Sequence, residues 1–381
     1  MKWCAVICLL FALVACDELP LAEPCNEELC QLPDCRCSST DIPGGLQARD
    51  TPQFVLVTVD DNINILNIVT YREIFYNRQN SNSCPSGVTF YINHEYNNYV
   101  FVNELYNQGF EIALHSITHQ LPVTYWKEAT EEVMAREFGD QKSQMSHFAN
   151  IPYESINGMR VPFLELGGNS TYQAVANHGL LYDHTRVTIE NVDPGMWPYT
   201  LDYASTQDCV IEPCPTASIP GAWVLPMITW TDTAGNPCAM VDDCSQPPPV
   251  TDEEAWFRMI VYNFERHYLG TRAPFGVYIH EWYLRIHPAV KRAIERFMDL
   301  VNNLDDAFMV NSRDVIEWVK NPVNLTEYRQ QPCKTFVPTT CARQNCGPLD
   351  AEEHQPGYSY WMEACVSCPR VYPWLNNPLG L

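Results

Sequence analysis

The chain has 381 residues, of which 46 are acidic and 23 basic, so its formal net charge is -23 at pH 7. Nucleic acids and anionic membranes would repel such a chain, and we expect neither as a partner. The length allows one large α/β domain with extensions, which we expect to be a monomer.

The N-terminus is typical of a secretory signal peptide, which we place at residues 1–16. Lys2 precedes an apolar run over residues 3–14, and small residues surround Ala15 and Cys16. The run is too short to span a bilayer, although its end also matches a bacterial lipoprotein cleavage site. We predict a secreted, extracellular protein.

Cysteine usage favours the same compartment. Three of the 17 cysteines lie in residues 1–16, and the remaining 14 can pair fully as seven disulfides. Residues 17–50 predict a Cys-rich segment held by disulfides, with a zinc knuckle as the alternative. Residues 326–381 predict a second Cys-rich, loop-like segment packed on the main domain. Acceptor triplets for N-glycosylation at Asn169 and Asn324 agree with secretion.

Residues 51–325 alternate apolar runs with amphipathic stretches, as in a parallel sheet with helical crossovers. We predict strands at 53–59, 87–92, 110–115, 156–161, 179–183, 222–228, 275–280 and 307–310. We predict helices at 126–148, 252–269, 289–301 and 312–320, and an ordered Pro-rich loop at 230–250. The second of these helices would begin with a capping box from Thr251 to Glu254. Because there is no glycine-rich phosphate or dinucleotide loop, we expect a barrel rather than a doubly wound sheet.

Ionisable side chains stand at the ends of several predicted strands. These side chains are Asp60 and Asp61, His115 with His119 four residues later, Arg160, and His280. Barrels of parallel strands build their active sites at the C-terminal ends of the strands. We therefore expect these residues to share one site.

The adjacent acids Asp60 and Asp61 need a nearby positive charge, because each raises the pKa of the other. The spacing of His115 and His119 suits a divalent transition metal. Two histidines with one carboxylate also leave coordination positions open for water and substrate. A metal would let both acids stay ionised. The alternatives are a structural or solvated histidine pair, and an Asp-Asp that caps a helix.

Five short motifs follow one another along the chain. They are Thr-Val-Asp-Asp at 58–61, His-Ser-Ile-Thr-His at 115–119, Arg-Val-Pro-Phe at 160–163, the region of Trp197, and Tyr-Ile-His at 278–280. By these motifs the chain resembles the polysaccharide deacetylases of carbohydrate esterase family 4. It resembles most the secreted insect chitin deacetylases that lack a chitin-binding module. The fourth motif of that family has an Asp three residues before the Trp, whereas Asp193 precedes Trp197 by four.

The resemblance implies a distorted (β/α)7-type barrel with Cys-rich, disulfide-bonded N- and C-terminal extensions. It implies one Zn²⁺ ion held by Asp61, His115 and His119, with Co²⁺ as a substitute. Asp60 would be the general base that activates water at the metal. Arg160 would keep Asp60 ionised and oriented.

The resemblance also implies that His280 is the general acid that protonates the leaving amine, while the backbone N–H of Phe163 contributes to an oxyanion hole. Trp197 and Tyr199 are candidates for stacking on sugar rings, with Trp282 as a further one, and the alternative for each is burial in the core. The reaction would release acetate from the N-acetyl groups of chitin or chitooligosaccharides and give chitosan.

Other functions stay open. The first is a non-catalytic chitin-binding protein on the same fold. A glycoside hydrolase needs two carboxylates across a cleft, a separation that the adjacent Asp60 and Asp61 do not provide. Esterase activity on peptidoglycan or acetylxylan is a third alternative.

Overall fold

The computed structural model describes residues 19–352 and 354–381. The signal peptide predicted at residues 1–16 lies outside this part of the chain. Among the described residues, none of the helices has the length and apolar character that crossing a bilayer requires.

The described chain alternates strands and helices. The strands are β1 Gln53–Asp60, β2 Thr89–Ile92, β3 Glu111–Leu114, β4 Gly158–Met159, β5 Tyr182–Asp183, β6 Val187–Thr188, β7 Tyr199–Leu201, β8 Ile219–Val224, β9 Met227–Ile228, β10 Trp230–Thr231, β11 Pro237–Cys238, β12 Phe275–His280, β13 Ala307–Met309, β14 Gln344–Asp350 and β15 Ser359–Ala364. The helices are α1 Asn67–Ile74, α2 Tyr99–Asn107, α3 Thr124–Lys127, α4 Glu131–Met134, α5 Asp140–Ala149, α6 Asn169–Asn177, α7 Glu253–Tyr268, α8 Glu281–Ile286, α9 Pro288–Asn303, α10 Ser312–Lys320 and α11 Leu325–Gln330. A π-helical turn, Ala135–Gly139, joins α4 to α5.

The main sheet confirms the predicted barrel class. Seven strands follow one another in the order β12-β1-β2-β3-β4-β5-β8, and all six neighbouring pairs are parallel. In addition, β13 pairs with the first half of β1, and β7 runs antiparallel on β8. The sheet curls into an incomplete barrel, since within the described residues no hydrogen-bonded pair joins β12 to β8 or β7.

Two local predictions were wrong in detail. The strand predicted at 222–228 is two strands, because Pro226 has no N–H to donate; β8 stays in the main sheet while β9 pairs with β6. The capping box predicted for α7 is absent. Instead, the side chain of Asp252 accepts a hydrogen bond from the backbone N–H of Ala255 across 3.0 Å.

The disulfides confirm that 14 cysteines pair fully. The pairs are Cys25–Cys37, Cys30–Cys35, Cys84–Cys333, Cys209–Cys214, Cys238–Cys244, Cys341–Cys365 and Cys346–Cys368. A zinc knuckle near the N-terminus is therefore wrong, because its candidate sulfurs are already bridged. The C-terminal segment is also less loop-like than predicted, since β14 and β15 form an antiparallel hairpin that two disulfides hold.

Candidate active site

Strand β1 delivers the two adjacent acids to the rim of the barrel. Its odd-numbered residues Val55 and Val57 pack in the core under the helices, whereas Phe54 and Leu56 pack in the core inside the curl. Asp60 continues the inner series by the two-residue period of a strand, and it is 3% exposed. Asp61 would then point outward. Its left-handed backbone (φ 83°) ends the alternation, and its Oδ1 lies 3.6 Å from Nε2 of His119.

The two predicted histidines come to the same rim on the loop after β3. The Nδ1–H of His115 donates to the carbonyl of Arg160 across 2.8 Å, which leaves Nε2 free to face Asp60 at 3.9 Å. Ser116 and His119 both have left-handed backbones, at φ 74° and 48°. Such conformations in non-glycine residues concentrate at functional sites.

Asp61, His115 and His119 form a donor set that fits a divalent metal. Their ligand atoms all lie within 4.8 Å of one another. Burial lowers the pKa of His115, and burial together with His115 lowers the pKa of His119 to about 4. Both imidazoles are therefore neutral at physiological pH, which is the form that binds metals. Two neutral imidazoles with one carboxylate are a set that Zn²⁺ and related ions accept.

Arg160 holds Asp60 in place. Its side chain is fully buried, and Nη1 donates to Oδ1 of Asp60 at 2.5 Å and to Oγ1 of Thr58 at 3.0 Å. The guanidinium lies 4.1 Å from the ring centre of Tyr91. Burial alone would raise the pKa of Asp60, but Arg160 and the nearby histidines lower it below its usual value. Asp60 is thus an oriented, ionised carboxylate.

His280 ends β12 directly beside β1, where it pairs in register with Asp60. Its Nδ1–H donates to Oδ2 of Asp242 across 2.7 Å. Burial would lower the pKa of His280, but the hydrogen bond and charge of Asp242 raise it to about 9. His280 is therefore protonated near neutral pH.

Asp242 is a site residue that the sequence analysis missed. It lies in the Pro-rich region 230–250, predicted only as an ordered loop, where no periodicity separates functional from structural residues. Its side chain is 5% exposed. One sequence feature could have pointed to Asp242. This residue lies between Cys238 and Cys244, which are bridged and close a small loop around it.

Glu137 is a second site residue that the sequence analysis missed. It accepts hydrogen bonds from the loop between His115 and His119, which we call the histidine loop. From the π-helical turn, its Oε2 accepts the backbone N–H groups of Ile117 and Thr118 at 3.1 and 3.0 Å. Its Oε1 accepts the hydroxyls of Thr118 and Tyr125 at 2.7 and 2.8 Å. π-Helical turns recur at functional sites, and here the turn places a buried acid under the candidate metal ligands.

The aromatic predictions divide into exposed and buried residues. Phe163 is 39% exposed, has φ 58°, and packs edge-on against His119. Trp197 and Tyr199, predicted to stack on sugars, are both 0% exposed, so neither ring has a free face. Trp197 stacks on Trp318, and the hydroxyl of Tyr199 is bonded within the core.

Trp282 is a second exposed aromatic residue at the site, besides Phe163. It is 44% exposed and lines a cavity of about 190 Å³ together with Asp60 and Asp61. This cavity and the rim described above are continuous, since they share the two acids. Trp282, rather than Trp197 or Tyr199, is placed to meet a ligand.

Comparisons with known proteins agree with these observations. No protein-family model matches the sequence. The chain is 59% identical over 382 residues to chitin deacetylase 8 of Bombyx mori, which covers 100% of both chains. It is 35% identical over 378 residues to chitin deacetylase 1 of the same species, covering 94% of this chain and 69% of that one.

Two solved structures show weaker likeness. A family 4 carbohydrate esterase from Streptomyces lividans covers 65% of this chain and 90% of its own, at 13% identity and a TM-score of 0.33. A peptidoglycan deacetylase from Bacillus subtilis covers 75% of this chain and 96% of its own, at 12% identity and a TM-score of 0.35. From the full-length identity with the Bombyx mori relative, this chain belongs to the chitin deacetylase family.

Proposed function

We propose that this protein hydrolyses the N-acetyl groups of chitin or chitooligosaccharides, with one zinc ion, and releases acetate. Membership of the family supports polysaccharide deacetylation in general. The observation that carries the finer proposal is the meeting of an ionised acid, Asp60, and a protonated imidazole, His280, beside a metal-type donor set. Metal-assisted amide hydrolysis uses these three elements together.

Asp61, His115 and His119 would hold the metal. When bound, a zinc ion would act as a Lewis acid that lowers the pKa of water and stabilises negative charge on a carbonyl oxygen. The neutral state of both imidazoles and the hydrogen bond from His115 to the carbonyl of Arg160 support this assignment. Cobalt has the same ligand preferences and is the natural substitute to test.

Asp60 would be the general base. Its carboxylate would take a proton from the attacking water as the new C–O bond forms at the acetyl carbon. Arg160 keeps this carboxylate ionised and fixes one of its oxygens, so the other oxygen is left for the proton. The backbone N–H of Phe163, at the rim beside His119, would help to stabilise the oxyanion.

His280 would complete the reaction as the general acid. As the C–N bond breaks, the leaving sugar amine takes a proton from Nε2 of His280. Asp242 binds Nδ1–H, which directs Nε2 towards the substrate and keeps the ring protonated. The products are acetic acid, which ionises to acetate, and a glucosamine unit. Because Asp60 has gained one proton and His280 has lost one, transfer of a proton from Asp60 back to His280 restores the enzyme.

An extracellular setting is part of the proposal. Seven disulfides form readily in an oxidising compartment. Of the two glycosylation triplets, Asn324 is exposed, whereas Asn169 is half-buried and its side-chain nitrogen donates to Oγ1 of Thr216 at 3.3 Å. Asn324 is accordingly the better acceptor.

The test is acetate release from defined chitin oligomers by the purified protein, with the metal content of the same sample determined. We expect acetate in amounts that follow zinc or cobalt occupancy, with oligomer length unchanged. Shortened chains would instead indicate a glycoside hydrolase. A fully metal-loaded protein that binds the oligomers and releases no acetate would be a non-catalytic chitin-binding protein, and the proposal would be wrong. Peptidoglycan and acetylxylan serve as the competing substrates.

A further inference from the structure

A second cavity, of about 340 Å³, lies next to the candidate active site. Asn64 lines both this cavity and the one at Asp60 and Asp61, so the two cavities are neighbours. The far wall carries Trp361 of β15 and Tyr96 of the loop after β2. We call this second cavity the hairpin groove.

The walls of the hairpin groove are joined by hydrogen bonds. Asn98 donates its backbone N–H to the carbonyl of Ile63 at 2.7 Å, and Ile63 donates to the side chain of Asn97 at 2.9 Å. The side-chain nitrogen Nδ2 of Asn98 also donates to Oε2 of Glu363 on the β14–β15 hairpin at 2.8 Å. The loop that follows Asp61, the loop after β2 and the hairpin are therefore one connected unit.

Trp361 is fixed with one face towards solvent. Its neighbours on β15, Tyr360 and Met362, are buried, whereas Trp361 is 67% exposed. The register shift opposite it brings Gly347 under the indole, and a Cβ at Gly347 would lie 2.8 Å from the ring. The absence of a side chain at 347 is what lets the indole lie against the strand.

Tyr96 presents a second aromatic ring to the same groove. It is 65% exposed, although its ring centre lies only 5.8 Å from that of Tyr360. Its backbone is left-handed (φ 61°), a conformation that costs free energy in a bulky residue. Tyr96 and Trp361 thus place two exposed aromatic rings in the lining of one cavity.

We propose that the hairpin groove is a distal subsite for N-acetylglucosamine units of the same β-linked chain whose acetyl group lies at Asp60. This inference rests on the proposed function. Sugar rings present flat faces of C–H groups that pack on aromatic rings, which suits Trp361 and Tyr96. Asn345 also lines the groove, and its side-chain amide suits hydroxyl and acetamido groups. Asn64 and Asn98 bond within the protein, and each keeps one further side-chain N–H for a ligand.

Chitin fits the charge of the protein as well as the shape of the groove. A net charge of -23 opposes an anionic polymer, whereas chitin is neutral and gains positive charge as acetate leaves. The position of the hairpin groove next to the cavity at Asp60 and Asp61 also favours a long ligand that occupies both cavities at once. The subsite would then make the enzyme prefer longer chains.

The first test compares kcat/KM across oligomers from the disaccharide to the hexasaccharide. We expect Trp361→Ala to lower the hexasaccharide-to-disaccharide ratio of kcat/KM about tenfold, with Trp361→Phe restoring most of it. Tyr262→Ala, which removes an exposed aromatic on α7 (57% exposed), is the matched control and should keep the wild-type ratio. An unchanged ratio in Trp361→Ala would overturn the inference.

The second test separates this inference from the proposed function. Calorimetry of hexasaccharide binding to Asp60→Asn and to Asp60→Asn/Trp361→Ala reports the subsite without turnover, and we expect about tenfold weaker binding in the double variant. If the wild type released no acetate but this difference remained, only the proposed function would fail. If sedimentation showed a wild-type dimer that Trp361→Ala made monomeric, the groove would be an interface between copies and the subsite would be rejected.

Discussion

His280 and Asp242 are joined by a hydrogen bond of 2.7 Å between Nδ1 and Oδ2. The contact links the end of β12 to a disulfide-closed loop 38 residues earlier in the chain. It fixes the orientation of the imidazole and raises its pKa. A loop that looks like an insertion in the sequence thus supplies part of the site.

The pH profile should report this pair. A general acid works only while protonated, so activity should persist until the pH rises through the pKa of His280, about 9. Asp242→Asn removes the negative charge that raises this pKa, and the alkaline limb should move down towards the ordinary histidine value of about 6.5. The shift of the alkaline limb is checked by measuring kcat/KM against pH for the wild type and for Asp242→Asn. Asp305→Asn, at an acid whose side chain is 80% exposed, is the control, and an unmoved alkaline limb in Asp242→Asn would exclude this role for the pair.

Asp60→Asn should separate catalysis from metal binding. Loss of a general base reduces turnover by roughly 10²–10⁴-fold, and Asp60 is not in the donor set, so bound metal should stay at the wild-type level. Acetate release and metal analysis are the two measurements. Asn can still accept the hydrogen bond from Arg160, and circular dichroism should verify the fold. Parallel loss of metal and activity would instead make Asp60 a ligand.

Glu137→Gln should weaken metal binding without touching a ligand. The amide can keep one oxygen for the backbone N–H groups of Ile117 and Thr118, but it loses the negative charge and the acceptor of the Thr118 and Tyr125 hydroxyls, so the histidine loop loosens. Comparable supporting contacts are worth about 10–100-fold in metal affinity. The metal affinity of each variant is measured by competition with a chelator. Glu132→Gln, on a side chain that is 80% exposed, should bind metal like the wild type. Equal affinities in the two variants would show that Glu137 has no such role.

Substitution of Tyr199 should affect stability but not KM, whereas substitution of Trp282 should affect KM but not stability. The buried hydroxyl of Tyr199 bonds Arg186 and Gln207, so Tyr199→Phe should lower the free energy of unfolding by about 1–3 kcal/mol and leave KM for oligomers unchanged. Trp282→Ala should raise KM with little effect on stability, because the ring is 44% exposed beside the acids. Denaturant unfolding measures the stability of each variant, and steady-state kinetics measures its KM for oligomers. A raised KM in Tyr199→Phe would contradict its assignment to the core.

Much of this protein can be predicted from the sequence because its signals are local. The prediction of β1 and of its two terminal acids uses only the β-branched run at residues 53–61. The prediction of the histidine pair uses only the five residues from His115 to His119. Parallel strands bring their C-terminal ends to one edge, so these local signals also predict a shared site. An even number of cysteines similarly predicts full pairing but leaves the partners open.

Tertiary structure decided what depends on long-range contact. Burial removed Trp197 and Tyr199 from the candidate sugar-binding surface, because an aromatic ring looks the same in sequence whether it packs inward or outward. The partnership of Asp242 with His280, the support from Glu137, and the groove between Trp361 and Asn64 each join segments far apart in the chain. Their geometry exists only once the curled sheet has brought those segments together.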